Sequence, residues 1–545
     1  NRRCGEITNL LHAWLSKTEG PGQTLMGEPK PPLRAAFWDI SAALLLMLLA
    51  TLSDPHRVRQ SLIAGGNGRV DAGAGAAASA TIWPTQGGTV TVTPVPDAGA
   101  SFSTWTGDTG GLVWDADGVL AVPGGAVRTL YCVFTEAGSS GVSRAWSGGG
   151  DGSDWDDAAN WSPAGVPAAD DIVTIGQGAS VLLTNATAEL AVLVLDAATL
   201  AFMEPEQAAP GNAIANVRAA FVVIRNGATV THAREEMTCA TKGPEGAWLI
   251  DGRVKFTCGN LVLDHASTIN VNAKGYYGHS NYEAANGPGG GVNSVAGSHG
   301  GYGGGAYTDN GVTYGFPYDD PREPVWPGTS GGGSGSPGSA GGGVVRIAAT
   351  GAVTINGTIA ADAQFLTGGS RRDGAGGAIW ISCSSFSGSG SLSALGKVNT
   401  QGAGYAGGGG CIAIHYDAAA QTASDTEKGG APTLRLATHP MHISATVRGH
   451  GGVGTVFMTD ARYYGETYNA SSFVRSGALH ADDWSQFAPA RLDLDGAWIR
   501  IPSTQLANRT LSSISVKGVY GRLDIGGEIQ TAYGIRSAFT DVNIA

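Results

Sequence analysis

Short runs in which apolar and polar residues alternate with period two fill most of this chain. From about residue 341 each such run is fed by a glycine cluster. Gly341-Gly342-Gly343 leads into Val344-Val345-Arg346-Ile347, Gly376-Gly377 into Ala378-Ile379-Trp380-Ile381, and Gly408-Gly409-Gly410 into Cys411-Ile412-Ala413-Ile414. A looser copy, Gly451-Gly452-Val453-Gly454, precedes Thr455-Val456-Phe457. Ile347, Ile381 and Ile414 lie 34 and 33 residues apart. A second alternating strand sits between copies, as in Val353-Thr354-Ile355, Leu392-Ser393-Ala394 and Ile443-Ser444-Ala445. A fixed period of this size marks stacked units, none of which can bury its apolar face alone. The expected fold is all-β, a right-handed parallel β-helix (β-solenoid) with a glycine-rich insertion, preceded by a small β-grasp-like module.

The same reading divides the rest of the chain. Residues 1–25 read as a leader unrelated to the remainder of the sequence. Residues 26–53 place Lys30 and Arg34 before an apolar core around Leu44–Leu49, the pattern of a signal peptide or signal anchor. Residues 54–80 read as a small-residue linker, and 81–137 as a compact β module built on Thr89-Val90-Thr91-Val92-Thr93. Residues 142–175 form a lead-in, 176–477 the stacked region with its insertion at 275–343, and 478–545 a further β-rich region. Strands are expected every 10 to 20 residues between Asp171 and Asn272, separated by turns such as Arg225-Asn226-Gly227.

Composition narrows the function classes. Glycine supplies 86 of 545 residues without a three-residue period, which excludes a collagen helix. With 42% apolar residues there is enough surface to pack a core. A formal charge of −12 argues against nucleic acid and anionic membranes as partners. The six cysteines show no zinc spacing. Cys239 and Cys258 fall in neighbouring expected strands and are the candidate pair for one disulfide; the alternative is six isolated buried thiols.

Several phrases resemble known families. Thr91-Val92-Thr93-Pro94-Val95-Pro96 through Tyr131-Cys132-Val133-Phe134 resembles the divergent InlB B-repeat modules of bacterial surface proteins, which implies a structural or adhesive spacer of about 55 residues. Trp146-Ser147-Gly148-Gly149-Gly150-Asp151-Gly152, Trp155, Asn160-Trp161 and Asp170-Asp171-Ile172 resemble the lead-in that opens β-helical regions of large exported bacterial proteins. Aromatics there would cover the first exposed backbone edge. "GGGGCIAIHYD" and "GGVGTVFMTD" resemble segments of planctomycete- and verrucomicrobia-type exported proteins. Together these imply an extracellular or cell-surface protein, attached to a membrane only through an uncleaved N-terminal anchor.

Candidate chemistry is sparse. Asp151, Asp154 and Asp156 are candidates for Ca²⁺, although their spacing is not that of an EF-hand loop; no other cofactor is expected. In residues 275–343, where 23 of 69 residues are glycine, Tyr302, Tyr307, Tyr314, Tyr318 and Trp326 are candidates to stack on sugar rings. As an enzyme the chain would be a polysaccharide lyase or glycosidase, with Asp319, Asp320, Glu323 and His450 as candidate groups. Glycosidases need two carboxylates at a set separation. Gly449-His450-Gly451 matches one motif of the polygalacturonase family, but the accompanying acidic motifs and Arg-x-Lys are missing. The reading that best fits is a non-catalytic structural or adhesive protein whose partners are surface polysaccharides or other surface proteins. A polysaccharide-acting enzyme is the alternative.

Overall fold

Alternating short strands have to find partners along their length, and here they find them in parallel. The computed structural model describes residues 60–544 except 66–67, 78, 83, 86, 126–127, 137–140, 177, 204–214, 233–252, 279–284, 291–294, 305–314, 333–337, 366–371, 398–404, 441–450, 507–509, 519–520, 532–533 and 539–542. The structure is mostly β, with 47% of residues in strands and a large sheet of mainly parallel strands.

Three parallel ladders run through that sheet. The first joins the leading half of Val254–Leu263 to Val344–Ala349, Ala378–Ser382, Cys411–His415 and Thr455–Asp460. The second joins Ile172–Ile175, Leu190–Asp196, Val217–Arg225, the trailing half of Val254–Leu263, Ala352–Ile355 and Ser385–Ser387. The third joins Ser180–Leu183, Thr199–Phe202, Thr229–His232, Thr268–Asn270, Thr358–Ala360, Ser391–Ser393 and Arg435–Ala437. The repeats that open at Val344 and Ala378 therefore give one strand to each ladder in turn. Ile347, Ile381 and Ile414 are direct register partners, as their spacing requires.

Inward positions of all three ladders form one hydrophobic cluster reaching from Trp155 to Leu511. Val345, Ile379, Ile412 and Val456 form one fully buried column, and Ile347, Ile381, Ile414 and Met458 the next. Each such side chain contributes about 1.5–3 kcal/mol by leaving water.

Glycine sets how closely the repeats close on themselves. The N–H groups of Gly343, Gly377, Gly410 and Gly454 donate to the carbonyls of Val271, Ala361, Ala394 and Thr438 at 2.7–2.8 Å. Those acceptors are the residues just beyond successive third-ladder strands, so one hydrogen bond ties the end of each repeat to the start of the next. A Cβ on Gly377 would strike the carbonyl oxygen of Gly343, and one on Gly410 that of Gly377. Only a residue without a side chain fits.

The N-terminal β module explains a second pattern. Ala100–Gly107 pairs antiparallel with Arg128–Glu136, and the Trp105 indole donates to Gly118 O at 2.7 Å. Tyr131 and Val133 pack with Val192, Val194, Phe221, Val223 and Val262, the outward residues of the second ladder. Leu190–Leu195 and Phe221–Ile224 are thus buried on both faces and read as unbroken apolar runs, whereas uncovered Ala352–Ile355 alternates. Arg225 adds ion pairs to Asp196 at 2.5 Å and to Asp108 at 3.3 Å.

The described residues 81–90 and 122–125 group into a small unit apart from the remainder. Within it, Gly88 N donates to Thr85 O and Gly124 N to Gly88 O, both at 2.9 Å. The expected leader and signal segment lie outside the described residues, and no helix among the described residues is long and apolar enough to cross a membrane.

One expectation needs correction, and one element is new. The stretch read as a linker contains strands Gln60–Gly65 and Gly68–Asp71, with Leu62 and Val70 fully buried. Its many small residues mask that alternation. The unforeseen element is a helix, Ala418–Glu427, capped by Asp417, whose carboxylate accepts from Ala420 N at 2.7 Å. It stands where the second ladder would continue past Ser385–Ser387. Gln421 Oε1 accepts from Phe386 N at 2.8 Å and its Nε2 donates to Phe386 O at 3.0 Å, so one buried carboxamide serves both backbone groups.

Gly410→Ala is expected to lower unfolding free energy by about 3 kcal/mol or more, an effect of the size steric clashes produce. Gly176→Ala, where a Cβ meets nothing within 4 Å, is expected to stay within about 0.5 kcal/mol of the parent. Denaturant melts of both variants check this.

Candidate functional site

The candidate site is the glycine-rich insertion and the outward face of the first ladder beside it. Glycine density lets the insertion's backbone lie directly on the glycine clusters of the repeats. Gly275 N donates to Gly341 O, Gly328 N to Gly342 O, Gly301 N to Gly409 O and Gly452 N to Tyr302 O, at 2.6–2.8 Å. The described parts of the insertion are therefore extra extended segments seated on the repeats.

A buried histidine–aspartate contact fastens the next turn. The side chains of His299 and Asp319 are 0% and 1% exposed, with Nε2 3.1 Å from Asp319 Oδ2. His299 Nδ1 lies 2.7 Å from the Gly376 carbonyl, which can only accept, so Nδ1 carries a proton. Asp319 adopts φ 78° and accepts further bonds from the backbone N–H groups of Asp320, Val325 and Trp326 at 2.8–3.0 Å. Every lone-pair direction of this carboxylate is engaged. It organises a turn and has none left to take a proton from a substrate.

That turn lies against the outward column of the first ladder. Arg346 stacks 4.2 Å above the Trp380 ring and pairs with Glu323 at 3.1 Å. His415 packs 4.7 Å from the Phe457 ring, and its Nε2 donates to Arg322 O at 2.6 Å. Arg322 is ion-paired with Asp482. Asp320 is exposed and accepts from Arg322 N at 2.8 Å, an ordinary turn bond. Asp319, Asp320 and Glu323 thus come close in the chain but serve three separate partners.

The aromatics expected to bind sugar are placed unevenly. Tyr318 sends its hydroxyl to Pro327 O at 2.5 Å and receives Thr329 Oγ1 at 2.9 Å. Burial first, then neighbouring Tyr276, raises its hydroxyl well above the usual phenol range. Tyr302 is half-buried with its ring where a Gly452 side chain would stand, and Trp326 is half-buried. Tyr307, Tyr314 and His450 lie outside the described residues. The described members do not form an open stacking platform, and Phe316, 49% exposed, is the outlying ring.

The lead-in is a hydrogen-bonded plug. Trp161 packs edge-on against Trp146 and Trp155, each at 4.9 Å, and its indole donates to Trp155 O at 2.9 Å. Fully buried Asn160 accepts from Gly150 N and Gly152 N and donates to Asp151 Oδ1 and Asp154 O. Asp151 Oδ1 also accepts from Ser153 N and Asp154 N at 2.9 Å; these two bonds, then Asn160, hold its carboxyl below the usual range. Asp154 Oδ1 accepts from Asp156 N, and Asp156 Oδ2 from Asn185. Among the described residues no three His, Cys, Asp or Glu side chains converge as a metal site. Cys258 is a free thiol, pushed by burial to about 12 together with Cys383; Cys239, its expected partner, lies outside the described residues.

Sequence reasoning gives no place in this site to His299, Arg346 or Trp380. One imidazole inside a run of glycines is the available signal, since so few side chains there can do anything but hydrogen-bond.

Asp171 supplies a pH-dependent test. It is 2% exposed, pairs with Arg144 Nε at 2.6 Å, and accepts from Val142 N and Ala168 N. Burial raises its pKa, but the Ala168 and Val142 amides and Arg144 outweigh that and leave it lowered. A lowered folded pKa contributes stability above the unfolded value near 3.9, and that contribution is lost as pH falls through the folded value. Asp171→Asn is expected to cost about 1–3 kcal/mol at pH 7, with the gap to the parent closing below about pH 4 in urea melts.

No protein-family model, curated protein or solved structure matches this chain.

Proposed function

We propose that the stacked region is a right-handed parallel β-helix in a non-catalytic, exported structural or adhesive protein that binds surface polysaccharide. The observation carrying this reading is the in-register passage of the repeats opening at Val344 and Ala378 through the same three ladders. Parallel strands joined by crossovers in one sheet are right-handed in about 98% of cases, which favours that hand. A long stack with a docked spacer-like module suits display, and the resemblances to exported bacterial proteins point the same way. Three acidic residues near the described strands have structural partners. Asp319 fastens a turn, Glu323 pairs with Arg346, and Asp417 caps a helix. Burial pushes the Cys258 and Cys383 thiols up to about 12, which disfavours a nucleophilic thiolate at either.

Co-sedimentation with insoluble cellulose, chitin, xylan and mannan tests binding, with reducing-sugar and unsaturated-uronate assays alongside. The expected result is pelleting with at least one polymer and no product. Sustained release of sugar ends by the purified protein would establish the enzymatic alternative instead.

A further inference from the structure

An open cleft of about 510 Å³ lies beside the helix Ala418–Glu427. Thr422, Asp425 and Thr426 line it from the helix, residues 429–431 from the following turn, and Arg462, Tyr463 and Gln486 from the far side. The size lies within the usual range of small-molecule sites. We propose that this cleft is a subsite for a short stretch of neutral, hydroxyl-rich glycan. The inference rests on the polysaccharide-binding proposal and gives it a location.

Its polar groups are already fixed in place. Asp425 is held by Gln421 Nε2 at 2.9 Å and by the Tyr463 hydroxyl at 2.8 Å. Arg462 makes a bidentate pair with Asp460, itself 3% exposed, and donates to Thr422 Oγ1 at 2.8 Å and Ala418 O at 3.0 Å. The Tyr463 ring is stacked on Phe473 at 4.9 Å and 26°. Groups ordered before binding lose little entropy when a ligand arrives. A carboxylate, a guanidinium, two threonine hydroxyls and a carboxamide around one recess match the alternating donors and acceptors of sugar hydroxyls.

Charge decides which sugars fit. Asp460 neutralises Arg462, and Lys428 stands in the field of Asp425, so the lining has no surplus positive charge to attract uronate chains. Lys428, the nearby cation at the end of the helix, sends its Nζ to Ser387 Oγ at 2.6 Å. A single carboxylate also falls short of the pair that glycoside hydrolysis requires.

Calorimetric titration of the full chain with cellohexaose, xylohexaose, mannohexaose and a galacturonate hexamer tests the proposal. At least one neutral hexamer should bind, and Asp425→Asn should weaken it about tenfold, because a charged acceptor makes the stronger hydrogen bond. Exposed Gln486→Ala should weaken it as well without altering the melting temperature, which keeps the test valid if Asp425→Asn unfolds. Neutral hexamers bound equally by parent and variants would overturn the cleft and leave polysaccharide binding standing elsewhere. Binding of the galacturonate hexamer that tightens on Asp425→Asn would overturn the ligand class. Failure of the parent to bind any hexamer while it pellets with a polymer overturns the cleft alone; failure in both assays removes both readings.

Discussion

The structure depends on a steric constraint, the missing Cβ at Gly343, Gly377, Gly410 and Gly454. At each, the backbone passes so close to the repeat beside it that its N–H reaches the end of a third-ladder strand. At Gly377, Gly410 and Gly454 a methyl group would occupy the space of a neighbouring carbonyl, and at Gly343 that of the His232 ring. Backbone polar groups buried in this way must be paired, and the close approach is what pairs them. The isoleucine columns supply much of the favourable burial, but they can stack in register only because the glycines let the chain return to the same place each time. The insertion uses the same property, laying its own glycine-rich backbone over the clusters.

Much of this is legible in the residues. Spacing of 34 and 33 between isoleucines that follow glycines can be met by a stack, and the three residues are register partners. Unbroken apolar runs at Leu190–Leu195 and Phe221–Ile224 carry the mark of burial on both faces. Other features are hidden by short range. Asp417 followed by three alanines is a fair helix start, yet ten residues between strand signals carry too little pattern to override them. Asp319-Asp320-Pro321 has the composition of a turn, but nothing local tells that Asp319 also meets a histidine twenty residues earlier. Aromatics in a glycine-rich segment suggest exposure; with so few side chains nearby, Tyr318 instead turns inward and its ring fills the space.

The two breaks in regularity are informative in the same way. The tryptophan lead-in closes the start of the stack through a network centred on Asn160, and the helix Ala418–Glu427 ends the second ladder through Gln421. Each substitutes side-chain hydrogen bonds for those of a missing strand. An uncovered parallel edge is open to pairing with other chains, and each device covers one such edge. The second also contributes Thr422, Asp425 and Thr426 to the recess shared with Tyr463.

Everything else requires that consecutive repeats lie side by side in parallel register. Thr358 and Ser391 face outward on adjacent strands of the third ladder and are direct register partners, their hydroxyls 3.3 Å apart. Oxidising a chain carrying Thr358→Cys and Ser391→Cys measures that register directly, since the described native thiols are buried. Rapid formation of an intramolecular disulfide is expected in that pair, and little in Thr358→Cys with Ser385→Cys. Efficient bridging of the offset pair, or none in the matched pair of a folded protein, would contradict the stacked arrangement.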